Sequence, residues 1–253
     1  MFDNLKWRLV ARKGYSCHVQ GNQMIDKGDV AGAKEKHDEA LKLYTQAYEA
    51  GYRSDVQVML AYAVLLMRYG RCQEAKDLLL MCEKQPGLDN KTRKQLRVNY
   101  AVCQWKLGEL DKAIENMEIA ASNGATSMIY TSLGYFYIEK GRETGDFSKA
   151  VEYNNEAMEY DDEDAGILDN MGQLNYFMGD HDKAYEYFAK AYNAKSNQAA
   201  TLYYIAAINL ERGNLEKAQA FAERCVEGNF SALATITKPQ AEALLEEIRK
   251  AKG

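Results

Sequence analysis

The sequence predicts an all-α protein, an α-α superhelix (solenoid) of about six stacked helical hairpins with a capping helix at each end. Three observations support this class. Apolar residues recur at helical spacing, glycine and aspartate interrupt them at regular intervals, and the pattern repeats along the chain. Only two prolines occur in 253 residues, which is typical of helices with few breaks. A single helix pair cannot bury both of its faces, so such units become stable by stacking on one another.

The clearest hairpin spans residues 165–198. Leu168, Met171 and Gly172 fall at i, i+3 and i+4, so they share one face of its first helix. A Gly179-Asp180 break follows, and Ala184 and Phe188 fall at i and i+4 in the second helix. We expect the glycine and the alanine to let the two helix axes approach closely, with the phenylalanine filling the space between them.

An alanine at the same place in each second helix marks the repeat. These alanines are Ala40, Ala75, Ala113, Ala150, Ala184 and Ala218, with spacings of 35, 38, 37, 34 and 34 residues. They place the hairpins at about residues 14–52, 56–89, 94–127, 127–162, 165–198 and 199–232, within a solenoid of residues 14–236. In the first hairpin the register is open, because either Ala33 or Ala40 fits the position of closest contact.

The two ends differ from the repeats. Residues 1–13 carry a net charge of +3 and an apolar stripe, whereas the whole chain carries −5. This basic amphipathic helix caps the first repeat in the favoured interpretation; docking on a membrane surface or a partner is the alternative. Residues 237–253 predict a C-terminal capping helix that begins at Thr237, has Gln240 as its capping-box partner and buries Leu244, Leu245 and Ile248.

Composition and motifs count against several functions. The net negative charge disfavours general binding of nucleic acid. Five dispersed cysteines without CxxC spacing are typical of reduced thiols, so we expect a cytoplasmic protein without a disulfide framework. No metal, cofactor or catalytic site is predicted. The acidic run 161–164 fits a solvated turn between repeats, and Cys17-His18 point in different directions on a helix, so they cannot act as a nucleophilic pair.

The repeat resembles the tetratricopeptide repeat (TPR) family, with the signature W-x2-L-G-x2-Y followed by A-x3-F. Tyr130-x2-Leu133-Gly134-x2-Tyr137 matches the first part with Tyr in place of Trp, and Ala184-x3-Phe188 matches the second. The likeness covers residues 14–232. It implies a right-handed superhelix whose concave face is lined by the first helix of each hairpin. It also implies a non-catalytic scaffold or adaptor that binds a protein or peptide segment.

A second stripe on the first helices is the candidate binding surface on the concave face. It comprises Leu60, Val64, Met67, Val98, Asn99, Val102, Trp105, Tyr135, Gln173, Tyr176, Phe177 and Tyr203. Within the stripe and its equivalents, Trp105, Ile138, Tyr176 and Leu210 also fit packing against the next repeat. The positions more expected to be exposed are Leu60, Val64, Val98, Val102 and Tyr135.

The composition of this surface predicts an apolar or amphipathic peptide or helix as ligand. The stripe lacks a converging pair of lysines or arginines, which counts against binding of acidic chaperone tails. Two alternatives remain: a peripheral membrane-associated assembly factor that docks through residues 1–13, and an accessory domain of an enzyme complex. The sequence does not indicate the oligomeric state.

Overall fold

The structure is a computed structural model that describes residues 2–122, 124–195, 197–228, 230 and 233–253, with side chains from residue 5 onward. In these ranges the chain forms thirteen α-helices and no β-strand, which confirms the all-α class. The helices are α1 (Phe2–Asp26), α2 (Val30–Glu49), α3 (Val56–Arg68), α4 (Cys72–Glu83), α5 (Asn90–Lys106), α6 (Leu110–Ala121), α7 (Ser127–Thr144), α8 (Ser148–Tyr160), α9 (Ala165–Phe177), α10 (His181–Ala194), α11 (Ala199–Glu211), α12 (Leu215–Glu227) and α13 (Lys238–Lys252).

The helices group into two compact units, Met1–Glu109 and Leu110–Gly253. Unit 1 contains α1 to α5 and unit 2 contains α6 to α13. The boundary lies inside the predicted third hairpin, residues 94–127, whose two helices belong to different units. Within each unit, every helix contacts the next one along the chain, which is the arrangement of a helical-repeat solenoid.

The first hairpin of unit 1 is longer than the sequence pattern indicates. Helix α1 continues through the boundary predicted at residues 13 and 14, because Gly14 is buried within the helix rather than ending it. A Cβ on Gly21 would lie 2.6 Å from the His37 ring, so this glycine lets α1 and α2 approach closely. Ala33 and Ala40 are both buried, and the two candidate contact alanines therefore both belong to this packed hairpin.

The marker alanines of unit 2 lie in its packed interior. Ala150, Ala184 and Ala218 are all buried in the second helices of their hairpins. At Gly172, a Cβ would lie 2.5 Å from the ring of Phe188, which is itself fully buried. Helices α9 and α10 thus meet where the side chain is smallest, and the phenylalanine fills the interface.

The turns between helices are held by capping aspartates. Gly179 has a φ of +87°, and Asp180 then accepts a hydrogen bond from the backbone N–H of Lys183 at 3.0 Å. Asp164 accepts from the N–H groups of Gly166 and Ile167, and so caps α9. The acidic run 161–164 therefore contributes a helix cap and an exposed turn.

Helix α13 packs on the end of unit 2. Leu244, Leu245 and Ile248 are buried in a cluster with alanines of α11 and α12, the arrangement expected of a C-terminal cap. At its start, the N–H of Thr237 donates to Oε1 of Gln240 at 2.8 Å, which is the glutamine half of the predicted capping box.

Candidate functional site

The structure divides the twelve predicted surface residues by burial. Seven are buried, namely Leu60, Met67, Val98, Asn99, Val102, Tyr135 and Gln173. Five are half-buried, namely Val64, Trp105, Tyr176, Phe177 and Tyr203. A side chain that is fully covered offers a ligand no area, so a binding surface on these helices depends on the second group.

The expected order of exposure is largely reversed. Of the residues expected to be more exposed, Val64 alone is half-buried, whereas Leu60, Val98, Val102 and Tyr135 are buried. Of those with a packing alternative, Ile138 is buried, and Trp105, Tyr176 and Leu210 are half-buried. The physical reason is that first helices contact one another, as α3 contacts α5 and α7 contacts α9, so side chains on the facing sides of these helices are enclosed.

The three half-buried aromatic residues that the predicted surface has in unit 2 form one cluster. Helix α9 supplies Tyr176 and Phe177, and α11 supplies Tyr203 and Tyr204. The Tyr204 ring lies 5.0 Å from Tyr176 and 5.2 Å from Tyr203, and it stacks on Phe188 with centroids 5.1 Å apart. The buried Tyr204 thus anchors the three half-buried rings on what we call the first-helix face, the side of unit 2 formed by α7, α9 and α11.

Charged groups surround this cluster. The Tyr176 hydroxyl donates to Oε1 of Glu211 at 2.9 Å, and its ring stacks on His181 at 4.5 Å. Burial, together with the hydrogen bond to Glu211, raises the pKa of Tyr176 above its ordinary value, so the phenol remains a neutral donor. The Arg142 guanidinium lies 4.1 Å from the centre of the Phe177 ring. An apolar centre with a charged rim is the usual composition of a protein-binding surface.

A buried polar group lies beside the aromatic cluster. Asp169 accepts hydrogen bonds from the Thr201 hydroxyl at 2.5 Å and from Nε2 of Gln173 at 2.7 Å. No ion pair among the described residues includes Asp169. Burial raises the pKa of its carboxyl group to about 6, although the two hydrogen bonds oppose the shift.

Residues 233–237 also reach the first-helix face, which the sequence analysis missed. Nε2 of Gln173 donates to Oγ1 of Thr235 at 3.3 Å, and Ile236 is buried in a cluster with Ala200 and Tyr204. The available sequence signal is length: ten residues separate α12 from α13, whereas four residues separate α10 from α11.

The Cys17-His18 pair in unit 1 does not form a reactive site. Burial raises the pKa of the Cys17 thiol, and burial also lowers the pKa of His18 and of His37 to about 4. The His18 ring faces the His37 ring at 5.4 Å rather than the thiol. His37 in turn contacts Asn22 and Arg68, so these side chains form a polar interior contact between helices.

Two further properties bear on function. Among the described residues, no group of three or more His, Cys, Asp or Glu side chains is placed to hold a metal ion. No helix in the described part of the chain combines the length and the apolar character needed to cross a membrane.

Comparison with known proteins identifies the repeat. Family models of the tetratricopeptide repeat match residues 25–87 and residues 165–198. No curated protein sequence matches the chain. A thermophilic TPR protein of Thermus thermophilus is 20% identical, with 78% of this chain and 99% of that chain covered and a TM-score of 0.61.

A second solved structure, the APC/C hetero-tetramer Cut9–Hcn1, gives a TM-score of 0.65 at 15% identity. The match covers 98% of this chain and 49% of that chain, so this protein spans about half of that relative's length. At these identities the likeness shows the fold. The two family matches lead to one conclusion: this chain contains tetratricopeptide repeats within residues 25–87 and 165–198.

Proposed function

We propose that this protein is a non-catalytic scaffold that binds a peptide or helix segment of a partner protein on the first-helix face of unit 2. The observation that carries the proposal is the cluster of Tyr176, Phe177 and Tyr203, which are half-buried and bordered by charged groups. Large aromatic side chains held in place by a buried neighbour are the residues that most often dominate binding energy at protein interfaces. The ligand predicted from this composition is apolar or amphipathic.

Peptide selection tests the proposal. A phage-displayed library of random dodecapeptides is selected on the full chain, and the affinity of each selected peptide is measured by fluorescence anisotropy. We expect Tyr176→Ala and Tyr203→Ala each to weaken binding at least tenfold, because each removes an anchored ring from the surface. Tyr187→Ala is the matched control, since Tyr187 is also a half-buried tyrosine but lies on the second helix α10. Equal binding by all three variants would contradict the proposal.

A second candidate function rests on the N-terminal helix. Leu5, Arg8, Leu9 and Arg12 fall at i, i+3, i+4 and i+7 and are all exposed, with Leu5 55% and Leu9 61% accessible. Ala11, on another side of α1, is buried. An exposed face of leucine and arginine is complementary to an anionic lipid surface. We propose it as a membrane-docking surface.

Vesicle flotation tests this second candidate. We expect the wild-type chain to float with vesicles of phosphatidylcholine and phosphatidylserine, and to float less with phosphatidylcholine alone, because the arginines contribute electrostatic attraction. The double variant Leu5→Asp, Leu9→Asp should remain in the unbound fraction. Val30→Asp, which changes another exposed apolar residue of unit 1, serves as control. If the double variant floats as well as the wild type, α1 is not the docking element.

A further inference from the structure

Residues 233–237, which we call the strap, occupy part of the surface proposed to bind a ligand. Thr235 lies 62 residues from Gln173 in sequence, yet its hydroxyl oxygen accepts the Gln173 amide N–H at 3.3 Å. Ile236 is 4% exposed and belongs to the same cluster as Ala200 and Tyr204, with Tyr176 and Tyr203 packed against that cluster. The strap therefore lies beside the aromatic side chains of the first-helix face.

Two side chains of the strap contact the first-helix face. Within the described part of the chain, Thr235 has the hydrogen bond to Gln173, and Ile236 has its buried aliphatic side chain. In the described part of the chain, neither Thr235 nor Ile236 takes part in a backbone–backbone hydrogen bond outside the helices. The strap lies outside the helices, and such a segment opens at a lower free energy than a packed helix, so it can leave the surface while the helices remain folded.

The strap contacts a buried polar group through its hydrogen bond to Gln173. Asp169, Gln173 and Thr201 are all buried, and among the described residues the carboxylate receives two hydrogen bonds, both from neutral groups, namely the other two side chains. Oε1 of Gln173 is buried and has no hydrogen-bond partner in the part of the chain that the structure describes. An unpaired buried acceptor is costly, and a ligand that supplied one further donor would remove that cost.

We propose that the strap is an intramolecular substitute for the ligand, and that a partner segment binds by displacing Thr235 and Ile236 and taking over their contacts. The partner segment then carries a hydroxyl residue followed by a β-branched aliphatic residue. The Gln173 amide donates a hydrogen bond to this hydroxyl, and the aliphatic side chain takes the place of Ile236 beside Ala200 and Tyr204. This inference rests on the proposed function, because it names the chemistry of the ligand at the same face.

Competition with the strap sets the affinity of the partner. A tethered segment is present at a high effective concentration, so an external segment binds only when its contacts exceed those of the strap. The unpaired Oε1 of Gln173 is one contact that the strap leaves open. Weakening the strap should therefore increase the affinity for any segment of this chemistry.

The experiment uses the full chain and a fluorescein-labelled synthetic peptide with the sequence of residues 230–240. Binding is measured by fluorescence anisotropy for the wild type, for Ile236→Asp and for Leu233→Asp. The last variant is the matched control, because Leu233 is 39% exposed on the same segment. We expect Ile236→Asp to bind the peptide at least tenfold more tightly than the wild type and the control. A peptide with Ala and Asp in place of Thr235 and Ile236 should not bind.

Two measurements keep the test decisive. Circular dichroism reports whether Ile236→Asp is folded, and Ile236→Ala replaces it if it is not, with the same order of affinities expected. Equal affinity of the folded variants and the wild type for the peptide would overturn the inference. The inference would also be overturned if light scattering showed that the wild type is a dimer and that Ile236→Asp is a monomer. The strap would then bind a second copy of the chain rather than its own.

The outcome also separates this inference from the proposed function. If the phage-selected peptides bind the Tyr176 surface but the strap peptide binds no variant, the inference fails and the binding face remains. If the strap peptide binds Ile236→Asp but selection yields no peptide sensitive to Tyr176 or Tyr203, the proposed function fails, and with it the displacement by a partner; the contact of the strap with the face is then purely intramolecular.

Discussion

Gly172→Val should lower the free energy of unfolding by about 3 kcal/mol, because it forces atoms into a filled helix interface. A Cβ at this position would lie 2.5, 2.6 and 2.8 Å from ring carbons of Phe188. The ring cannot move aside, since it is fully buried and stacks on Tyr204 at 5.1 Å. The higher helix propensity of valine recovers only a few tenths of a kcal/mol. Urea unfolding followed by circular dichroism measures the change.

A double-mutant cycle checks the cause of this loss. Phe188→Ala alone should cost about 3–5 kcal/mol, because it leaves a cavity in the same place. When both changes are combined, the valine occupies part of that cavity, so the double variant should be no less stable than Phe188→Ala alone. Additive losses would show that Gly172 matters for a reason other than contact with Phe188.

The packing between helices could be predicted from the sequence because it depends on residue size at fixed spacing. Gly172, Ala184 and Phe188 satisfy one local rule: small residues lie where axes approach and one large residue fills the space. The same rule does not decide whether Ala33 or Ala40 is the contact position of the first hairpin, since both are buried in one long hairpin. It also misplaced the start of the first repeat, because Gly14 is a buried contact glycine inside α1 rather than a break.

The composition of the binding surface could not be predicted in the same way. Whether Leu60 or Val98 is exposed depends on how closely neighbouring first helices approach, and the repeat pattern does not encode this separation. Gln173 is hydrogen-bonded to Thr235, a residue outside every repeat and far along the chain. Periodicity identifies which helix face a residue occupies, but long-range contacts by non-repeating segments decide whether that face is free.

Asp169→Asn should stabilise the protein at neutral pH by up to about 3 kcal/mol, the second large effect that we expect. The carboxyl pKa is raised from 3.8 to about 6 in the folded state, chiefly by burial. Between about pH 4 and pH 6 the folded state therefore binds more protons than the unfolded state, and the stability due to this group falls as the pH rises. A difference of about two pKa units corresponds to about 3 kcal/mol.

Asparagine fits the site without this cost. Its side-chain oxygen still accepts the hydrogen bond from the Thr201 hydroxyl, and its amide can donate to Oε1 of Gln173 when that amide rotates. We expect the stability difference between Asp169→Asn and the wild type to be small at about pH 4 and to grow until about pH 7. Urea unfolding across this range measures it, with Asp162→Asn, an exposed residue of the neighbouring turn, as the control.

The same comparison in the Ile236→Asp background shows where the penalty comes from. If the strap is what excludes water from Asp169, releasing it solvates the carboxylate and returns its pKa toward 3.8. The advantage of asparagine at neutral pH should then nearly disappear. If the advantage persists undiminished, packing between α9 and α11 buries the charge by itself, and the strap is a passive cover. A stability gain that is the same at every pH would instead exclude ionisation of Asp169 as its cause.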